Sequence, residues 1–196
     1  MAVDARRGRL YVADVQLNQV LVFDTRSFQM QKTIGKAGNA ATGEPGSFSG
    51  PTNLALDSKG RLYVTDTWNC RVQVFDPDGK FVLTFGAQGT QPGKFARPKG
   101  IAIDREDHVY VADAEFNNFQ VFTSEGKPLL FVGSIGLEPG QFLLPAGMAI
   151  DRENRIYVTE QRMSGGRLQI FQYLPERADN RLPDGRGSNE ETYARR

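Results

Sequence analysis

The sequence predicts an all-β protein that consists of about four four-stranded antiparallel blades of a β-propeller. Three observations support this fold class: a motif recurs along the chain, its strand-like runs show no helical period, and turn residues separate the runs. The tyrosines at positions 63, 110 and 157 are 47 residues apart, and the tyrosine at position 11 lies 52 residues before the first of them. A repeat of this length matches a propeller blade, which has roughly 40–50 residues.

Each copy contains three strand motifs in a constant order. The first motif ends in aspartate and occupies residues 1–4, 54–57, 101–104 and 148–151. The second contains the repeated tyrosine and occupies residues 10–14, 62–66, 109–113 and 156–160. The third ends in phenylalanine and occupies residues 20–23, 72–75, 119–122 and 168–171. Alternation of apolar residues rich in Val, Ile, Tyr and Phe is typical of half-buried strands.

A fourth strand and a linker complete the predicted unit. Residues 81–86 and 128–133 supply the fourth strand in copies two and three. The pattern Pro-Gly-x-Phe-x-x-Pro joins consecutive copies at 45–51, 92–98 and 139–145. Its glycine and prolines are expected to fix the turn conformation. Each copy is therefore expected to form a four-stranded meander.

Two strings carry a family resemblance. Residues 66–75 (DTWNCRVQVF) and 98–104 (PKGIAID) resemble the NHL repeat, and the resemblance covers residues 1–173. It implies a six-bladed propeller. Cys70 stands where that motif often has histidine, and copy one reads Leu-Asn-Gln-Val at the corresponding stretch. The resemblance specifies a fold and leaves the function open.

Residues 1–175 are predicted to form the propeller, with blades at 1–47, 48–94, 95–141 and 142–175. Copy four lacks its last strand, and residues 176–196 form a charged tail that we expect to be disordered. A six-bladed ring needs about two more blades, so we expect an incomplete ring or arc. The alternatives are a closed four-bladed ring and self-association that completes the propeller with a second chain.

Composition excludes several kinds of site. The chain has 24 Lys and Arg against 23 Asp and Glu, which gives no argument for a nucleic-acid partner. One His and one Cys exclude an internal disulfide and a zinc site that needs several such ligands. No apolar run approaches the ~20 residues of a membrane-spanning helix, and the N-terminus lacks the apolar core of a signal peptide. The compartment is left open.

The residues with reactive or titratable groups have structural interpretations. The repeated tyrosines are expected to pack between blades, and Cys70 is expected to be a buried, inert thiol. Asp66 and Asp113 are expected to accept hydrogen bonds from turn amides, with Arg71 bracing the same turn. His108 is interpreted as a solvated turn residue. No cofactor is expected, although a calcium ion held by scattered carboxylates in the channel stays an open alternative.

The predicted function is a non-enzymatic scaffold that binds a protein or peptide partner through loops on one face. On that face the linkers are expected to meet the turns that join second to third strands. Large apolar residues in these turns are potential anchors for a partner. The candidate partner-binding residues are Trp68, Asn69, Arg71, Phe116, Asn117, Arg162 and Met163.

Two alternatives come from the family resemblance. One is a propeller hydrolase, lactonase or lyase with a metal in the central channel, and the other is RNA binding as in tripartite-motif NHL domains. For RNA, the linkers contribute Lys94, Arg97 and Lys99. Acidic residues are expected on the same face, however, which makes nucleic acid the weaker alternative. These acidic residues are Asp66, Asp113, Glu115 and Glu160.

Overall fold

A computed structural model describes residues 1–36, 43–161 and 165–173, in which the chain forms fifteen strands. The first blade contains β1 (Ala2–Asp4), β2 (Arg9–Asp14), β3 (Gln19–Asp24) and β4 (Met30–Ile34). The second contains β5 (Pro51–Leu56), β6 (Leu62–Asp66), β7 (Arg71–Phe75) and β8 (Phe81–Phe85). The third contains β9 (Pro98–Ile103), β10 (Val109–Asp113), β11 (Asn118–Phe122) and β12 (Pro128–Val132). The fourth contains β13 (Pro145–Ile150), β14 (Arg155–Glu160) and β15 (Arg167–Gln172).

The predicted all-β propeller fold is confirmed. Within each blade the strands pair antiparallel in chain order, and the first strands of consecutive blades lie against one another. The structure adds a short 3-10 turn at Thr67–Asn69, where the sequence indicated only a loop. Within the described ranges, no helical segment has the length and apolar character that crossing a membrane requires.

Consecutive blades pack face to face through three apolar clusters, which we call the first, second and third interfaces. Each cluster consists of side chains from the two facing sides of consecutive blades. The predicted packing role of the repeated tyrosines is confirmed for Tyr11, Tyr63 and Tyr110, which are buried in these clusters. The buried side chains of the second interface are Ala55, Tyr63, Cys70, Val72, Val74, Phe85, Phe95, Ile101, Val109, Val111 and Phe122.

The linker phenylalanine closes each interface at one end. Phe48, Phe95 and Phe142 are fully buried. Each ring lies against the glycine that follows a fourth strand, and these glycines have positive φ angles. A Cβ at Gly86 would lie 2.5 Å from the Phe95 ring, so the close approach requires glycine.

The two end faces of the described structure remain exposed. On the first blade, Val3 is 58% exposed, and on the fourth blade Leu168 and Ile170 are 53% and 56% exposed. In the other blades the residues that correspond to Leu168 and Ile170 pack in an interface. The first and fourth blades therefore do not close on each other, and the described residues form an open arc.

Candidate interaction surface

One end of the arc brings the linkers together with the turns between second and third strands. We call this surface the upper face, and it comprises residues 43–50, 87–97 and 134–144 with the turns 67–70 and 114–117. A buried carboxylate beneath each turn ties it to its linker. Side chains that make hydrogen bonds in these networks are not available to a partner on the surface.

The Asp66 network is the most complete of these. One carboxylate oxygen of Asp66 accepts a hydrogen bond from the Ser49 amide at 2.6 Å, and the other accepts from Arg71 at 2.8 Å. Asn69 and Gln73 donate to the same oxygen as Arg71. The Arg71 guanidinium also donates to three linker carbonyl groups, those of Gly43, Glu44 and Ser47. Asp66 therefore accepts hydrogen bonds from a backbone amide of the linker and a side-chain amide of its own turn, whereas backbone amides of the turn were expected, and Arg71 braces the linker.

Equivalent networks lie in the third and fourth blades. Asp113 accepts hydrogen bonds from linker and turn amides, as predicted; the donors are Ala96, Arg97, Glu115 and Phe116. Glu160 accepts from the Leu143 amide, Arg167 and Gln169. Burial acts to raise the pKa of Glu160, but the hydrogen bonds, first that of Arg167, outweigh it and lower the pKa.

Three of the acidic residues do not lie on the surface where the sequence predicted them. Asp66, Asp113 and Glu160 were expected to share the face with the basic linker residues, but all three are buried beneath it. Asp66 and Glu160 are each paired with an arginine, and Asp113 is held by backbone amides. Glu115 is exposed on the turn of the third blade.

A second set of contacts crosses from each turn to the next blade. Asn18, Cys70 and Asn117 occupy corresponding positions, and all three have φ angles of 52–55°. Asn18 accepts a hydrogen bond from the Gly50 amide, and Asn117 accepts one from the Leu144 amide. The Cys70 thiol donates to the Ala96 carbonyl oxygen at 3.2 Å. This repeated position joins neighbouring blades, which the sequence analysis did not recognise.

The same contacts explain the state of the single thiol. Burial raises the pKa of Cys70, and the charges of Asp113 and Asp66 raise it further. A neutral thiol that donates to a carbonyl group is a poor nucleophile. The prediction of a buried cysteine is confirmed, and its inertness stays a prediction.

The remaining candidate partner-binding residues differ in accessibility. Trp68 is 70% exposed, and its ring lies over Gly50, where a Cβ would approach it to 3.0 Å. Phe116 is half-buried beside the linker residues Gln91 and Lys94. The side chains of Asn69, Arg71 and Asn117 make the hydrogen bonds described above. Arg162 and Met163 lie outside the described residues.

The opposite end of the arc carries a ring of aspartates that the sequence analysis did not single out. Asp57, Asp104 and Asp151 directly follow β5, β9 and β13 and line a cavity of about 500 Å³. In the third blade, Asp104 accepts hydrogen bonds from the Glu106 and His108 amides and from the Tyr110 hydroxyl. Repetition of Asp and Tyr six residues apart in the second, third and fourth copies is the sequence signal of this bond.

His108 also belongs to this ring. The interpretation as a solvated turn residue is wrong, because the side chain is half-buried and its Nδ1 lies 3.0 Å from an oxygen of Asp104. Arg61 and Arg155 make the corresponding contacts with Asp57 and Asp151. Within the ranges that the structure describes, no group of three or more His, Cys, Asp or Glu is placed to hold a metal ion.

Comparison with known proteins supports the architecture. The DUF5128 family, described as a 6-bladed beta-propeller, matches residues 50–115. No curated protein matches the chain significantly. A structural genomics protein of unknown function from Bacteroides thetaiotaomicron is similar with a TM-score of 0.65 and 19% identity, over 81% of this chain and 43% of that one.

Two other solved structures with this fold are named as an enzyme and as a set of WD40 repeats. Virginiamycin B lyase from Staphylococcus aureus has a TM-score of 0.57 and 14% identity, over 89% of this chain and 55% of that one. The RRP9 WD40 repeats have a TM-score of 0.61 and 14% identity, over 84% of this chain and 48% of that one. The chain thus spans about half the length of these structures. At such identities the likeness establishes the β-propeller fold alone.

Proposed function

We propose that this chain is an NHL-type propeller segment that acts as a non-enzymatic scaffold and binds a protein or peptide partner through its upper face. The observation that carries the proposal is the exposure of Trp68, a large aromatic side chain on a turn with a rigid foundation. Exposed aromatic residues are enriched among the anchors of protein interfaces.

The backbone of the turn is held on both sides of Trp68. The Trp68 amide donates to the Ser49 carbonyl oxygen at 3.1 Å, and the Thr67 amide donates to that of Gly50 at 3.3 Å. The Thr67 hydroxyl donates to the Pro98 carbonyl oxygen at 2.7 Å, which fixes the turn to the third blade. A pre-positioned aromatic ring loses little conformational entropy when a partner binds, and this favours affinity.

Two basic residues flank Pro98, whose carbonyl group accepts the hydrogen bond from this turn, and they suggest the chemistry of the partner. Arg97 is exposed and Lys99 is half-buried, on either side of Pro98. Burial and the neighbouring charge of Arg97 both lower the pKa of Lys99. An acidic group on the partner relieves this repulsion. We therefore expect a peptide segment with an apolar group for Trp68 and an acidic residue nearby.

The enzymatic alternative has less support among the described residues. The carboxylates that converge on the channel are those of Asp57, Asp104 and Asp151, and each is engaged by turn amides and a neighbouring basic or histidine side chain. At Asp151 burial acts to raise the pKa, but the hydrogen bonds of Arg155 and Tyr157 outweigh it and lower the pKa. The lowered pKa makes Asp151 a weak base, which favours a structural role for this carboxylate.

The position of Trp68 provides a direct test because it is the chain's only tryptophan. Peptides are selected from a phage-displayed random library on the full chain. Their binding to the parent chain is followed by tryptophan emission, and their affinities for the parent chain and the variants are compared by the fluorescence anisotropy of labelled peptides. We expect a blue shift on binding and an affinity about tenfold lower for Trp68→Ala. Its thermal midpoint should remain within about 2 °C of the parent chain, since the ring is mostly solvated.

Leu17→Ala is the matched control, because Leu17 is an exposed apolar residue in the corresponding turn of the first blade. It should leave peptide affinity unchanged. Selected peptides that bind the parent chain and Trp68→Ala equally would contradict the proposal. A large loss of stability in Trp68→Ala would identify the ring as core, and a shift caused only by an RNA oligonucleotide would favour the RNA alternative.

A further inference from the structure

A cavity of about 410 Å³ lies in the third blade, between the linker at residues 87–97 and the strands β11 and β12. The linker contributes Thr90, Gln91 and Lys94 to its lining, and β11 contributes Asn118. The described structure includes all four strands of this blade and both of its neighbours. The cavity therefore does not arise from an incomplete blade.

An arginine fills the corresponding space in the second blade. Arg71 pairs with Asp66 across β6 and β7, as Asn118 pairs with Asp113 across β10 and β11. The Arg71 guanidinium lies between the Asp66 carboxylate and the three linker carbonyl groups named above. The third blade thus has an asparagine where the second blade has a bridging arginine.

The fourth blade repeats the arginine arrangement. Arg167 pairs with Glu160 across β14 and β15 and donates to its carboxylate at 2.6 Å. The Arg167 guanidinium also donates to the carbonyl groups of Leu137, Glu138 and Gln141. In the aligned linkers, these three positions correspond to the linker residues that line the cavity of the third blade.

The linker of the third blade is held in the same way as the linker of the second. Gln120 accepts a hydrogen bond from the Gly93 amide at 2.8 Å and donates to the Lys94 carbonyl oxygen at 2.7 Å. Gln73 makes the two equivalent bonds in the second blade, at 2.9 and 2.8 Å. The carbonyl groups that an arginine would bind are therefore in place, although the arginine is replaced.

The shorter asparagine leaves buried polar groups without partners. The Oδ1 atom of Asn118 is buried and accepts no hydrogen bond within the described residues. Asp113 is fully buried and accepts from backbone amides, but within the same residues it forms no ion pair. A buried acceptor without a donor costs free energy, which a bound donor recovers. The cavity therefore favours a ligand that carries positive charge and several N–H groups.

Two aromatic rings also line the cavity. Phe116 and Phe131 stand where the second blade has Asn69 and Thr84. A planar guanidinium group stacks favourably on an aromatic face. Lys94 is the only basic side chain in the lining, and within the described residues its ammonium group makes no hydrogen bond or ion pair. Its flexible stem allows this charge to turn towards solvent when a cation binds.

We propose that the cavity of the third blade binds a guanidinium group, as carried by an arginine side chain. The bound group takes the place of the arginine that this blade lacks and donates to the linker carbonyl groups and to Asn118 Oδ1. Its planar fork of N–H donors suits several acceptors at once. The cavity does not include Trp68, so the site is additional to the proposed function and its test is independent of that proposal.

The test uses the full chain and the small molecule Nα-acetyl-arginine methylamide as the probe. Titration followed by amide NMR shifts should show saturable changes centred on Thr90, Gln91 and Lys94. The citrulline analogue has the same shape without the charge and should bind about tenfold more weakly. The lysine analogue keeps the charge without the planar fork and should also bind more weakly than the arginine probe.

Variants of Asn118 separate binding from folding. Asn118→Arg places a guanidinium of the chain itself in the cavity, so it should abolish probe binding and raise the thermal midpoint by about 2 °C or more. Asn118→Leu removes the buried acceptor at similar size and should weaken binding about tenfold without loss of stability. Gln19→Arg is the matched control, because Gln19 pairs with Asp14 at the corresponding position of the first blade. It should leave probe affinity unchanged.

A further variant identifies the source of the guanidinium group. It replaces the five arginines within residues 176–196 by glutamine. Tighter probe binding than in the parent chain would support the site and show that one of these arginines occupies it. Unchanged binding would support the site and assign the group to a separate molecule or segment. Absence of probe binding in both chains would overturn the proposal, and so would equal affinities for the parent chain and Asn118→Arg or equal binding of the arginine and citrulline probes.

Discussion

The second and fourth blades carry the same motifs, yet their strands differ in burial. Every residue of β6 and β7 is buried, whereas β15 alternates between half-buried and exposed positions. The second blade lies between two neighbours, and the fourth packs against one. Burial of an apolar strand residue is therefore decided by the adjacent blade rather than by the strand sequence, as expected for a repeat protein.

The burial of the carboxylates in the polar networks, by contrast, does not depend on the number of adjacent blades. Asp66 binds Arg71 and Gln73 in the second blade, and Glu160 binds Arg167 and Gln169 in the fourth. Both carboxylates are buried, although the fourth blade has one neighbour among the described residues. The second and fourth blades thus each tie the end of the second strand to the preceding linker, whichever neighbours the blade has.

The largest effect is expected from the buried network of the second blade. Asp66→Ala leaves the Arg71 guanidinium buried without its carboxylate, which should cost about 3–5 kcal/mol of unfolding free energy. Asp14→Ala is the matched control, since Asp14 accepts only from the Gln16 and Leu17 amides on an exposed turn. It should cost about 1 kcal/mol. Urea denaturation measures both, and equal losses would contradict the distinction.

A smaller difference should separate the closed and open interfaces. Phe95 is fully buried in the second interface, and Phe95→Ala should cost about 3–5 kcal/mol. Phe171 is half-buried beside an apolar groove at the outer end of the third interface, so Phe171→Ala should cost about half as much, since it buries less area. Thermal denaturation of the two variants provides the comparison. A larger loss for Phe171→Ala would show that the groove is closed in solution.

The sequence predicted the parts of this structure that depend on local pattern. The 47-residue period specified the blades, and a carboxylate at the end of the second strand indicated an acceptor for turn amides, which is the role of Asp113. Contacts between blades were harder to predict, because they depend on how two repeats are placed in space. The shared left-handed conformation of Asn18, Cys70 and Asn117 is an example. The three positions correspond, but one of them is a cysteine and the other two are asparagines.

The candidate site was predictable to a lesser extent. Exposure of a turn residue depends on which neighbours its side chain contacts, and turn sequence alone does not specify them. Trp68 lies over Gly50 and stays exposed, whereas Asn69 and Asn117 are used in hydrogen bonds. The groove of the third interface was not predicted, because it arises from the strand that is missing from the described part of the fourth blade.

Hydrogen exchange of the unliganded full chain tests most directly the claim that neighbours decide burial. Amides of β6 and β7 should exchange only through global unfolding, whereas outer-edge amides of β15 should exchange at least about 100-fold faster. Equal protection of β7 and β15 would contradict the account, because it would require a partner strand on an edge that is open in the described structure.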